Sequence, residues 1–157
     1  MRYSEIMRTV AYCALWVAVS VSCKQETPTA TGKKVFPWFV YKDWNSFKDI
    51  EPVKEIINSI SVFGNPPKSF IDECHRNHIE VYQAVGGSEE NISTPEKIKT
   101  LVDGYVDACN ANGYDGIDWD FEHLSPDVQD TYTGFLELAS QKLHAAGKKL
   151  SHCVGFY

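Results

Sequence analysis

Three carboxylates recur at every second position in the second half of the chain: Asp118, Asp120 and Glu122. Alternate side chains of a β-strand lie on the same face, so a strand here would place all three together. The apolar residues that alternate with them would face packed helices; they are Ile117, Trp119 and Phe121. Repulsion between neighbouring carboxylates should raise at least one pKa, and a carboxyl with a raised pKa can act as a general acid.

The same alternation is compatible with an ordinary amphipathic strand that exposes one face to water. Glu122 is the last of the three carboxylates and would lie at the carboxyl end of the strand. Parallel α/β folds and barrels form their active sites at that end. The pattern by itself therefore leaves a catalytic strand and a solvated strand both open.

Segments that alternate between strand and helix surround the carboxylates. We predict strands over residues 35–41, 59–63, 78–85, 114–122 and 150–157. Helices are predicted between them, a short one over 52–58 and longer ones from 67, from 95 to 112 and from 126 to 146. This order indicates an α/β fold with parallel strands joined by right-handed crossovers. Either an open doubly wound sheet or part of a (β/α)8 barrel would fit, although no G-x-G-x-x-G loop follows the first strand.

Two motifs resemble those of one enzyme family. Residues 115–122 (DGIDWDFE) resemble the D-G-x-D-x-D-x-E signature of glycoside hydrolase family 18, the chitinases and their relatives. Residues 84–87 (AVGG), on the predicted third strand, are similar to the family's S-x-G-G motif, with Ala84 in place of serine. The resemblance covers residues 34–157 and implies a (β/α)8 TIM barrel, of which this chain would hold the first four and a half βα units.

The resemblance implies a role for each motif residue. Glu122 would protonate the glycosidic oxygen, and Asp120 would hold the acetamido group of the substrate, whose carbonyl oxygen attacks the anomeric carbon. Asp118 would lie behind Asp120 and tune its charge. Asp115 would shape the start of the strand. We assign four residues to substrate binding: Asp115, Gly86, Gly87 and Tyr41.

The expected activity is hydrolysis of β-1,4 bonds after N-acetylglucosamine, in chitin oligosaccharides or an N-glycan core, with retention and without a cofactor. A noncatalytic carbohydrate-binding module and an inactive truncated remnant are the alternatives, but the retained Glu122 and Asp120 favour an enzyme. The family also uses residues from later strands, and a complete barrel takes about 250 residues. We therefore expect the activity to belong to a longer chain.

Aromatic residues near the end of the predicted first strand could also contact sugar. These residues are Trp38, Tyr41 and Trp44. Aromatic faces suit both stacking on sugar rings and packing in a core, so both interpretations stay open.

Residues 1–22 are typical of an export signal. Arg2 and Arg8 precede an apolar run over 10–21, which is shorter than the roughly 20 residues of a membrane span. The run ends before Cys23, as in a bacterial lipoprotein signal, so we predict lipidation of Cys23 and a possible membrane anchor, with residues 23–33 as a flexible tether. Plain secretion and a short buried helix are the alternatives. The protein is thus expected in the cell envelope or outside the cell.

Charge and cysteine usage exclude other classes of protein. The net charge is −6, without a basic stripe, which argues against nucleic acid as a partner. Cys74 and His78 have a helical i, i+4 spacing, but no second pair completes a metal site, and we predict none. We expect Cys74, Cys109 and Cys153 to be core residues.

Overall fold

The computed structural model describes residues 35–43, 45–121 and 124–153, which belong to one compact unit, Lys33–Tyr157. The predicted signal and tether, Cys23, Trp44 and Glu122 lie outside the described residues. Within the described part of the chain, no helix is long and apolar enough to cross a membrane.

Five strands and three α-helices alternate along the described residues. The strands are β1 (Trp38–Val40), β2 (Ser59–Phe63), β3 (Glu80–Gly86), β4 (Gly116–Asp120) and β5 (Lys149–His152). The helices are α1 (Lys68–Arg76), α2 (Pro95–Asn112) and α3 (Gln129–Ala145). Short 3-10 helices cover Phe47–Asp49, Glu51–Val53, Glu89–Ile92 and Pro126–Val128.

The strands form one parallel sheet in the order β1-β2-β3-β4-β5. Right-handed crossovers that always step in the same direction place every helix on one face of the sheet. A doubly wound sheet instead reverses its direction and covers both faces. The spatial order therefore selects barrel-type winding from the two architectures that the sequence left open.

Capping residues set the ends of α2. The hydroxyl of Thr94 accepts a hydrogen bond from the amide of Lys97 at 3.3 Å, and Pro95 occupies the first turn. Gly113 ends the helix with φ 85°, a left-handed conformation that glycine adopts at little cost, and its N–H bonds the carbonyl of Cys109 at 2.9 Å. The helix therefore ends two residues before Asp115, where the motif begins.

The hydrophobic core lies between the sheet and the three helices. We call this side of the sheet the outer face and the opposite side the inner face. Ile117 and Trp119 of β4 are fully buried on the outer face, as predicted, and Phe121 is nearly so. The Trp119 ring contacts Tyr105 of α2 and Phe135 of α3 edge-on. These contacts with α2 and α3 fix the orientation of β4. They therefore also fix the side towards which the inner-face side chains of β4 point.

The structure corrects the predicted helix over 52–58. A 3-10 turn covers Glu51–Val53 instead, with i to i+3 bonds such as Val53 N–H to Ile50 C=O at 3.0 Å. Val53 and Ile56 point to solvent and only Ile57 is buried within the segment, so no apolar face exists to stabilise an α-helix.

The first, third and fourth predicted strands are also longer than those observed, whereas the second has the predicted bounds. β1 begins only after Pro37, which has no N–H to pair, although the Pro37 carbonyl still accepts from Ser61 at 2.9 Å. His78 has φ 60° and belongs to the turn before β3 rather than to the strand.

Candidate active site

Asp118 is a buried carboxylate with two hydrogen-bond donors. Its side chain lies in the middle of β4 on the inner face, and the residue is 1% exposed. Its Oδ2 accepts from the Ser61 hydroxyl of β2 at 2.5 Å and from Nε1 of Trp38 of β1 at 3.1 Å. A buried carboxylate is costly unless donors compensate it, so Ser61 and Trp38 make this position tenable.

Asp120 lies two residues further along the same face, as the alternation predicts. It is partly buried at the carboxyl end of β4. In the β3–β4 ladder it pairs with Gly86, and Asp118 pairs with Ala84. Small residues therefore flank both carboxylates on β3 and leave space above the sheet on their inner side.

Gly87 extends the small-residue stretch of β3 and is required by packing. A Cβ at this position would overlap the ring of Phe121, the residue that follows Asp120. At Gly86, by contrast, a Cβ would meet the Asp120 carbonyl only at an ordinary contact distance of 3.7 Å. The structure brings Gly86, Gly87, Asp118 and Asp120 together, and Gly87 lets the chain after β4 lie close to β3.

Asp115 lies at the other end of β4. Its Oδ2 accepts from the amide of Val81 at 2.8 Å and lies 2.8 Å from Nε2 of His75 on α1. Asp120 lies five positions further along the chain, roughly 16 Å away at the usual rise per residue of a strand. The structure therefore does not bring Asp115 to the group of Asp118 and Asp120, and its contacts join β3, β4 and α1.

Tyr41 and Trp38 lie on opposite sides of the sheet. The Tyr41 ring contacts Phe70 of α1 edge-on, with centroids 5.2 Å apart, so it belongs to the helix side. Trp38 lies on the inner face beside Asp118. The structure thus places the assigned aromatic residue, Tyr41, away from the carboxylates and places Trp38 next to them.

Sequence reasoning missed Ser61 as a site residue. It is fully buried between two apolar strand neighbours, Ile60 and Val62, which are also fully buried. A serine in the centre of such a strand is the signal that could have found it, because a buried hydroxyl needs a partner. The hydroxyl of Ser61 donates to the Asp118 carboxylate. Ala84, which pairs with Asp118 on β3, has only a methyl group and can donate no hydrogen bond to it.

A metal site is not evident in the part of the chain that the structure describes. No group of three or more His, Cys, Asp or Glu side chains there could hold a metal ion. Cys74 is buried in α1, while His78 lies beyond the end of that helix. Cys74 and Cys109 are buried free thiols, and Cys153 is half-buried.

A separate cavity of about 510 Å³ lies at the amino ends of the strands. Its lining includes Glu80, Tyr82 and Lys149, and Glu80 forms an ion pair with Lys149. Burial, together with the neighbouring Glu80, raises the pKa of Tyr82 well above its usual range. Because parallel α/β proteins carry their chemistry at the carboxyl ends of the strands, we do not count this cavity as part of the candidate active site.

No family model and no curated protein sequence matches the chain. Solved structures do match its fold. A chitinase from Chromobacterium violaceum is 18% identical over 74% of this chain and 44% of its own, with a TM-score of 0.61. A family 18 N-acetylglucosaminidase from Paenibacillus barengoltzii is 19% identical over 76% and 45%, with a TM-score of 0.60. A spore cortex-lytic enzyme from Bacillus megaterium is 16% identical over 78% and 35%, with a TM-score of 0.63.

These similarities establish the fold. The chain spans less than half the length of each of these structures. The predicted resemblance to family 18 chitinases is confirmed at the level of the backbone, as is the predicted α/β architecture corresponding to part of a TIM barrel.

Proposed function

We propose that this chain carries the catalytic strand of a family 18-type glycoside hydrolase that cleaves β-1,4 bonds after N-acetylglucosamine. The observation that carries the proposal is the inner face of β4. Asp118 is buried there with two donors, and Asp120 follows it at the carboxyl end, within a fold similar to that of chitinases. A merely solvated strand would not bury a carboxylate in its centre. The whole activity requires further groups, which we expect from a longer chain.

Each carboxylate has its own part in the proposed reaction. Glu122 transfers its proton to the glycosidic oxygen while the bond from that oxygen to the anomeric carbon breaks. The acetamido carbonyl oxygen of the substrate forms the new bond to that carbon, and Asp120 orients the acetamido group. Water then opens this intermediate and returns a proton to Glu122, so the configuration is retained. Asp118, fixed by Ser61 and Trp38, supports Asp120 from behind.

The direct test is release of the aryl group from an aryl chitobioside by the longer protein in which we expect this chain to lie, which is the parent of both variants. The Glu122→Gln variant should lose at least about 100-fold in kcat, since general acid catalysis contributes roughly that much. Glu137→Gln, an exposed glutamate of α3, is the matched control and should behave as the parent chain. Equal release by the parent and Glu122→Gln chains would refute the catalytic role of Glu122. Sugar binding by the parent chain without any hydrolysis would favour the carbohydrate-binding module.

We also infer that the protein is exported and anchored through a lipid on Cys23. The positive start, the short apolar run and the polar stretch after Cys23 support this inference. Labelling of cells with a radioactive fatty acid should mark the parent protein and not the Cys23→Ala variant. Unlabelled protein in the culture medium would instead indicate plain secretion.

A further inference from the structure

We propose that Glu89 is a positioning residue that acts on the general acid, Glu122, by holding the segment that follows β4. The Glu89 carboxylate accepts the backbone N–H of Ser125, so it joins the segment between β3 and α2 to the segment between β4 and α3. Ser125 lies three residues after Glu122 in the sequence. This inference rests on the proposed function and deepens it, because it identifies a residue outside the motif that supports the acid.

Ser125 is the N-cap of a 3-10 turn, and its N–H has no acceptor within that turn. In a capping box the third residue of the helix accepts this bond, but that residue is Val128, whose side chain has no acceptor. At Ser88, by contrast, the side chain of Asn91 in the same turn accepts the N-cap amide at 2.8 Å. For Ser125 the acceptor is Glu89, 36 residues earlier in the chain. The bond therefore joins two segments where a local bond would cap one turn.

Glu89 stands on a segment that other contacts hold in place. It is the first residue of the 3-10 turn Glu89–Ile92, and Ile92 is fully buried in the core on the outer face. The Lys97 ammonium of α2 donates to the Glu90 carbonyl at 3.3 Å. A carboxylate on such a support can fix the position of the amide that it bonds.

The chain is held on both sides of Glu122. The ring of Phe121, immediately before it, lies against Gly87, where an added Cβ would overlap the ring. Ser125, after it, is held by Glu89. Only three residues separate Phe121 from Ser125, and each residue of a chain spans at most about 3.6 Å. The segment between β3 and α2 therefore holds both flanks of the acid, Gly87 by packing and Glu89 by a hydrogen bond.

The charge of Glu89 strengthens this contact. Hydrogen bonds from Ser125, from its backbone first and its side chain second, lower the pKa of Glu89 below its usual range. The carboxylate is therefore ionised at neutral pH, and a hydrogen bond to an ionised group is roughly twice as strong as a neutral one. The neighbouring Glu90 instead pairs with Lys97 on the surface, which makes Glu90 a matched control.

The test compares Glu89→Ala, Glu89→Gln and Glu90→Ala in the longer protein that serves as parent in the activity assay. Glu89→Gln keeps an oxygen that can accept the Ser125 N–H, whereas Glu89→Ala has none. We measure kcat/KM on tri-N-acetylchitotriose, whose leaving sugar needs a proton from the acid, and on a dinitrophenyl chitobioside, whose aglycone leaves without one. Exchange of the Ser125 amide proton with solvent is followed by NMR.

Glu89→Ala should lower kcat/KM on the trisaccharide by about tenfold or more, because a small displacement of a catalytic group costs at least that much. On the dinitrophenyl substrate the value should stay within about threefold, since that reaction needs no proton from Glu122. The Ser125 amide should exchange about tenfold faster or more. Glu89→Gln should stay within about threefold of the parent on both substrates. Glu90→Ala loses only a surface ion pair and should match the parent.

The outcomes distinguish this inference from the proposed function. Equal exchange of the Ser125 amide in the parent and in Glu89→Ala would overturn the contact. Equal or absent losses of kcat/KM on the two substrates, with the variant folded by circular dichroism, would overturn the positioning of the acid, because a general disturbance slows both reactions alike. A parent that hydrolyses neither substrate would refute the proposed function, and faster Ser125 exchange in Glu89→Ala would then still support the contact.

Discussion

Replacing Ser61 by alanine should lower the free energy of unfolding by about 2 kcal/mol. The Ser61 hydroxyl is fully buried and donates to the Asp118 carboxylate at 2.5 Å. Hydrogen bonds to charged groups contribute roughly 1.5–3 kcal/mol, and a buried acceptor that loses its donor keeps its desolvation penalty. Removing one oxygen leaves a cavity too small to add much to this value.

The measurement is urea unfolding followed by circular dichroism, at one fixed protein concentration so that any association acts equally. For a domain of this size the expected loss corresponds to a melting temperature lower by about 8 °C. The matched control is Ser59→Ala, two residues earlier on the same face of β2, where the change should stay within about 0.5 kcal/mol.

The Asp118→Asn background tests the reason for the loss. With a neutral amide in place of the carboxylate, removal of the Ser61 hydroxyl should cost less than about 1 kcal/mol, so the two substitutions should not be additive. An equal loss in both backgrounds would mean that the hydroxyl does not act through the charge. A loss below about 0.5 kcal/mol in the parent would refute the reasoning altogether.

Two further predictions concern close packing and buried thiols. Gly87→Ala should destabilise the chain by about 2 kcal/mol, because the added carbon overlaps the Phe121 ring, whereas Gly104→Ala in α2 meets nothing within 4 Å and should stabilise it in urea unfolding. Burial raises the pKa of Cys74 to about 12 and of Cys109 to about 11. The two buried thiols should therefore contribute fully to the free energy of unfolding below about pH 9. This contribution should fall as the pH rises towards 12, because the thiols of the unfolded chain ionise in that range while those of the folded chain stay protonated. Rapid alkylation of either thiol in the native chain would contradict this.

Elements whose ends carry capping or turn residues were predicted with the bounds that the structure has. The predicted bounds of β2 and α2 agree with the structure. Thr94, Pro95 and Gly113 mark the ends of α2 by local chemistry that does not depend on the rest of the fold. The segment over 52–58 has no such marks, and its α-helix was wrong because its apolar residues do not share a buried face.

The candidate site could be predicted only in part, because the carboxylates depend on alternation within one strand, whereas their partners depend on pairing between strands that are distant in the sequence. Alternation along one strand was enough to place Asp118 and Asp120 together. The partners of Asp118 lie 57 and 80 residues away in the sequence, and they meet it only through the register of four strands. The face on which Tyr41 lies depends on register in the same way, since a shift of one residue in a strand moves each side chain to the other face.

The sequential order of the strands has a consequence for synthesis on the ribosome. Each strand that emerges can add to the edge formed by the preceding one, so the sheet can grow in the order in which it is translated. β1 and β2, which carry Trp38 and Ser61, are made before β4. Asp118 therefore reaches a surface on which both of its donors already lie, and its charge need not be buried before they are present.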